Sequence, residues 1–131
     1  NSSKIVDSSY RMENSIFVVL AKLDQILFKS RAYNSIITLS SAVIRKETDK
    51  GRIGEWYYSE GERRFSQTES FSKLDASRKT LNNKVFTNLK YIETDAEKET
   101  LKHSSEIIKN FDEMEKASSE LFTLLDKMLK E

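Results

Sequence analysis

Few side chains in this sequence could do chemistry. His103 is the only histidine, and the 131 residues contain no cysteine. Disulfides, thiol catalysis, thiolate zinc sites and iron–sulfur ligation are therefore excluded together. A serine nucleophile needs a base beside it. The lone imidazole lies in the polar run Lys102-His103-Ser104, where a solvated surface histidine is the simpler reading. Asp112, Glu113 and Glu115 alternate with an apolar stripe and read as an exposed helix face, not as an acid–base pair. Gly51-Arg52-Ile53-Gly54 lacks both the glycine pattern and the Lys-Ser/Thr of a phosphate-binding loop. Arg45/Lys46 and Arg63/Arg64 are short pairs beside acids and read as solvated loop charges. The expectation is a protein that is not an enzyme.

More informative are polar residues set on otherwise apolar stripes: Gln25 in an early segment, then Arg78 and Asn82 one helical turn apart in a later one. Residues at i and i+4 of a helix point the same way, so Arg78 and Asn82 could meet Gln25 from a facing helix. Read from the residues alone, this is a hydrogen-bonded polar layer that fixes helix register.

Long helices must position such a layer, and the composition agrees. Ordinary usage of about 5% proline would give roughly six or seven, whereas the chain has none and only 3 glycines. Turn-rich sandwiches and barrels are disfavoured, and one helical domain over residues 1–131 is the natural reading at this length. The 22 basic and 21 acidic residues leave a net charge of +1, so no whole-domain field draws in nucleic acid or anionic lipid. No apolar run approaches the ~20 residues that span a bilayer; Ile16-Phe17-Val18-Val19-Leu20-Ala21 is stopped by Lys22. No signal peptide is legible. The opening at Asn1 suggests a domain excised from a longer protein.

Four segments follow. From about Asp7 to Leu39, apolar residues at 16, 19, 20, 23, 26, 27, 33, 36 and 37 mark a helix face, and the pattern runs on through Val43 to the charged stretch from Arg45 to Lys50. Lys50–Gln67 holds all three glycines (51, 54 and 61) and the only tryptophan, and reads as an irregular region. Its aromatic cluster Trp56-Tyr57-Tyr58 should fold back onto the helices, since each ring has on the order of 150–250 Å² to bury. Ser70–Tyr91 carries Phe71, Leu74, Leu81, Val85 and Leu89 at helical spacing. Thr94-Asp95-Ala96-Glu97 resembles a capping box. It would open one helix from Asp95 to Lys130, ~54 Å long at ~1.5 Å per residue. Its stripe of Ile107, Phe111, Met114, Ser118, Leu121, Leu125 and Met128 is widened by Leu101, Ile108, Phe122 and Leu129.

Taken together, Leu23-Asp24-Gln25-Ile26-Leu27-Phe28-Lys29, Gly51-Arg52-Ile53-Gly54-Glu55-Trp56-Tyr57, Phe71-Ser72-Lys73-Leu74 and Ser77-Arg78 through Asn82 to Val85 resemble the chemoreceptor zinc-binding (CZB) domain. That family pairs an early Asp-His with a Cys-Arg-x-Gly-Lys-Trp segment and a Pro-His-x-x-Val-His helix. The closing Phe111–Phe122 stretch is similar to the last helix of CZB domains in bacterial chemoreceptors. The likeness spans essentially the whole chain, with Gly54 and Trp56 as its most specific motif.

The resemblance implies an antiparallel four-helix bundle, crossed by the Trp56 segment and paired as a homodimer. It also marks departures. The family's four zinc ligands fall on Gln25, Gly51, Arg78 and Asn82, and none of these suits zinc, which takes thiolate, imidazole or carboxylate. No cofactor is then expected, and Arg78 should pair with a carboxylate such as Asp24 or Asp49. The implied role is a zinc-independent sensory or regulatory domain of a methyl-accepting chemotaxis receptor. It would be cytoplasmic and would act through helix packing, dimerisation or another ligand within the chemotaxis signalling complex. The alternatives are the regulatory domain of a diguanylate cyclase and a purely structural dimerisation module.

Overall fold

Helix-favouring composition has its expected outcome. The computed structural model describes residues 2–40, 55 and 57–131, and among them every regular element is helical and no strand occurs. Helix α1 covers Ser2–Ile37. A π-helical turn at Tyr57–Gly61 leads into the short α2, Glu62–Phe65. Helix α3 covers Glu69–Lys90, with Thr68 capping its first turn by accepting from the Phe71 N–H. Helices α4 (Ala96–Lys102) and α5 (Ser104–Met128) complete the chain.

Packing fixes the directions of the three long helices. Phe71 and Leu74 of α3 share one apolar cluster with Leu121, Leu124, Leu125 and Met128 of α5. Leu81, Val85 and Leu89 share a second with Met114 and Ala117. Helix α3 thus enters the first cluster and leaves by the second, and α5 runs the other way. Helix α1 gives Val18 and Ala21 to the first cluster and Phe28 and Ala32 to the second, so it runs parallel to α3. Lys22 with Asp126 and Lys29 with Glu115 fix its rotation against α5.

This rotation reverses one sequence expectation. The apolar stripe of α1 at Ile16, Val19, Leu20, Leu23, Ile26 and Leu27 is about half exposed, while Val18, Ala21, Gln25, Phe28, Ala32 and Ser35 are buried. Helix α1 has two apolar faces, and the one turned inward is the face flanked by the lysines that α5's carboxylates hold. Apolar spacing marks a face as apolar; the ion pairs decide which face packs. The helix also starts earlier than Asp7 and stops at Ile37. The Ser40 N–H reaches the Ser35 carbonyl and the Leu39 N–H that of Ile36, with Leu39 at φ 55°. This is a Schellman ending, formed without the usual glycine.

The Tyr57–Phe65 stretch is helical, contrary to the irregular region expected. Gly61 takes helical angles (φ −60°, ψ −47°) and is buried. The single long closing helix is broken at His103 (φ −111°, ψ 25°). The ring of His103 stacks on Tyr91 at 4.6 Å, and α4 buries no residue that would hold it in line with α5. Leu101, Ile108 and Leu129, expected to widen the stripe, are exposed. The capping box does not form either. The N-cap is Asp95, with no side-chain cap, which puts Glu97 one position short of the third helical residue that a capping box requires.

Candidate functional site

The two apolar clusters do not merge, and polar side chains occupy the level between them. Along α1, Gln25 lies between Ala21 and Phe28; along α3, Ser77 and Arg78 lie between Leu74 and Leu81; along α5, Ser118 lies between Ala117 and Leu121. All four are buried. Three helices thus change from apolar to polar at one height, and Gln25 and Arg78 belong to it as the sequence suggested. Asn82, a turn further along α3, is half-buried.

Arg78 has a carboxylate, and it comes from its own helix. Its Nε donates to Asp75 Oδ1 at 2.9 Å, and Nη2 lies 2.9 Å from the same oxygen. The other oxygen, Oδ2, accepts from Tyr58 Oη at 2.8 Å and lies 3.1 Å from Lys79 Nζ. Asp24 is half-buried beside Gln25 on α1, whereas Asp49, Gly51, Gly54 and Trp56 lie outside the described residues. Burial works to raise the Asp75 pKa. Hydrogen bonds from Tyr58, Lys79 and Arg78, with the Arg78 charge, outweigh it and hold the carboxyl below the usual aspartate range. Tyr57 lies against Phe71 with its ring stacked at 4.4 Å; burial first, then the Asp75 charge, pushes its phenol up.

Asp75 therefore ties the π-helical turn to α3, and Arg64 ties α2 to α1. The Arg64 guanidinium donates to Asn14 and Glu13, both at 2.9 Å, and to Glu60. It also lies over the rings of Tyr10 and Phe17. Only 13% of the side chain is exposed, which corrects the reading of Arg63/Arg64 as solvated loop charges for this member of the pair. Its ion pairs and ring contacts make it a packing residue.

Sequence reasoning missed Asp75, Tyr58 and Asn88. Asp75 was legible as a carboxylate three residues before Arg78, a spacing that brings side chains together on a helix. Asn88, 1% exposed, donates from Nδ2 to the Ile107 carbonyl at 3.1 Å and accepts from Asn110 at 2.8 Å. It fixes the far end of the α3–α5 pair.

Zinc does not fit the residues at this level. The buried groups are an amide, two hydroxyls and a guanidinium, and a cation there would sit near the buried positive charge of Arg78. Among the described residues no three His, Cys, Asp or Glu side chains gather as a metal site, and no helix is long and apolar enough to cross a membrane. A cavity of about 340 Å³ opens between α3 and α5, with Ser77, Thr80 and Ala117 on its walls and Lys84, Glu113 and Glu120 around them. Lys84 and Glu113 pair with each other there. No family model, curated protein or solved structure matches the chain.

Gln25 Oε1 is buried without a hydrogen-bond partner among the described residues. An unsatisfied buried polar atom costs roughly 1–3 kcal/mol. Gln25→Leu removes it and joins the clusters across α1, so the variant should gain about 1 kcal/mol of stability, read as a higher urea midpoint at unchanged m-value.

Proposed function

We propose that the chain is a regulatory helical domain of the CZB type that works without zinc, a buried polar layer standing at the level where the resemblance sets the metal. The observation that carries this reading is the burial of Gln25 and Arg78 in one layer between two apolar clusters. The four-helix bundle implied by the resemblance belongs to the proposal, with α1, α3 and α5 as three of its helices. So do self-pairing of the chain, a cytoplasmic setting and a receptor as the output partner. In this reading a signal travels as a change of helix packing at the polar layer. Apolar layers resist shifting because they are close-packed, whereas a hydrogen-bonded layer can exchange partners.

Calorimetric zinc titration of the metal-free chain tests the zinc-independent reading. No binding tighter than about micromolar is expected, because a coordination set of strong ligands contributes on the order of 10 kcal/mol or more and these residues supply none. Sub-micromolar binding would overturn it. Output is tested by the sequence coded beside this segment. A receptor signalling hairpin supports the proposal, and a diguanylate cyclase domain moves the chain to the enzyme-regulating alternative.

A further inference from the structure

Helix α1 turns a second apolar face away from the bundle. Ile16, Val19, Leu20, Leu23, Ile26 and Leu27 are each 48–54% exposed. They occupy successive a, d and e positions of a heptad, with no charged residue among them. This is the seam of a coiled coil, so the shape that fits it is another helix with the same spacing. The patch is on the order of 500 Å², at the upper end of what a monomer leaves in water.

Among the described residues, nine of the fourteen large apolar side chains that stay exposed lie on α1; the other five are scattered over Leu39, Tyr58, Leu101, Ile108 and Leu129. The corresponding stripes of α3 and α5 are already buried against each other. Among the described residues α1 thus carries the one uncovered helical seam, and a second copy offers that same seam as its complement. Charge allows the approach. Lys22 and Lys29, which border the stripe, are held within the chain by Asp126 and Glu115, so two α1 helices can meet without opposing unpaired lysines. An isologous contact of this kind closes with two-fold symmetry. With the lysine stems added, each copy would cover somewhat less than the ~800 Å² of a standard interface.

We infer that the outward face of α1 is a homodimer interface, formed by α1 of one copy against α1 of another. The inference rests on the self-pairing in the proposed function and assigns it to particular residues. Sedimentation of the 131-residue chain over roughly 1–300 µM, the range expected for a modest interface, should show the mass rise from 15.2 kDa toward twice that value. Leu23→Glu should weaken association about 100-fold or more, because it sets a charge in the apolar seam of each copy. Its helical circular dichroism should stay unchanged, since Leu23 is half exposed in the single chain. Thr80→Glu, in the cavity between α3 and α5, should leave the dimer intact. A chain that stays monomeric throughout overturns both the interface and the self-pairing. A dimer that survives Leu23→Glu, whatever Thr80→Glu does, keeps the self-pairing and overturns the α1 interface.

Discussion

Asp75→Ala should destabilise the fold by about 3 kcal/mol, the scale on which removing one partner of a buried ion pair is felt. Two donors of Arg78 converge on Asp75 Oδ1, and the Arg78 side chain is only 5% exposed. The substitution therefore leaves the cation in the bundle and withdraws the carboxylate oxygen that two of its donors share. It also cuts the Tyr58 bond to Oδ2, loosening the π-helical turn from α3. Arg78→Met is the informative contrast. It fills similar volume with apolar atoms between Leu74 and Leu81, and replacing a buried charge in this way is often neutral or stabilising. Arg78→Met should therefore change stability by less than about 1 kcal/mol while Asp75→Ala costs several times more. Equal losses in urea titrations would mean that the ion pair contributes net stability.

Acid should remove the same contribution. The Asp75 pKa is depressed on folding, so its ionised form is favoured in the folded state. That stability is fully present above the unfolded-state value near ~4 and is lost as pH falls through the lower folded value. The stability gap between the native chain and Asp75→Asn should therefore be flat near neutrality and narrow below about pH 4. A gap independent of pH down to acid unfolding would remove Asp75 from the acid-sensitive groups.

The fold class was legible because it depends on what is absent, proline, and on spacing, both of which survive any detail of packing. The stripe of α5 was legible for the same reason: Ile107, Met114, Ser118, Leu121, Leu125 and Met128 are all buried. Helix α1 was not, since two of its faces are apolar and the choice between them is made by lysines bonded to a helix about a hundred residues away in sequence. The polar layer was half legible. Gln25 and Arg78 stood out as polar residues on apolar stripes, but Ser77 and Ser118 are small enough to pass as ordinary helix residues. Asp75, a carboxylate partner of Arg78, lies three residues back on the same helix, whereas the lost metal site directs attention to partners on other helices. At the break the His103 ring stacks on Tyr91, a tertiary contact that no local pattern encodes.

If the polar layer divides the core, damage on its two sides should be independent. Leu81 is fully buried in one cluster and Leu125 is 1% exposed in the other. Each Leu→Ala substitution should cost about 3 kcal/mol, the lost transfer energy plus a cavity that close neighbours only partly refill. With Lys84 paired to Glu113, residue 125 lies level with residue 72, so the two sites are about nine residues of helix apart, ~13 Å at ~1.5 Å per residue. At that distance, with no apolar residue common to the two clusters, the double variant should lose the sum within about 0.5 kcal/mol. Because that sum takes up much of a typical 5–15 kcal/mol stability, the cycle is best measured in an osmolyte that favours burial. Repeating it in Gln25→Leu makes it a test of the layer itself. Leucine there joins the clusters through α1, so a coupling that is absent in the native chain should appear. Strong coupling already present with Gln25 in place would mean that strain crosses the polar layer unhindered, and the layer would then be a register device and not a boundary between two cores.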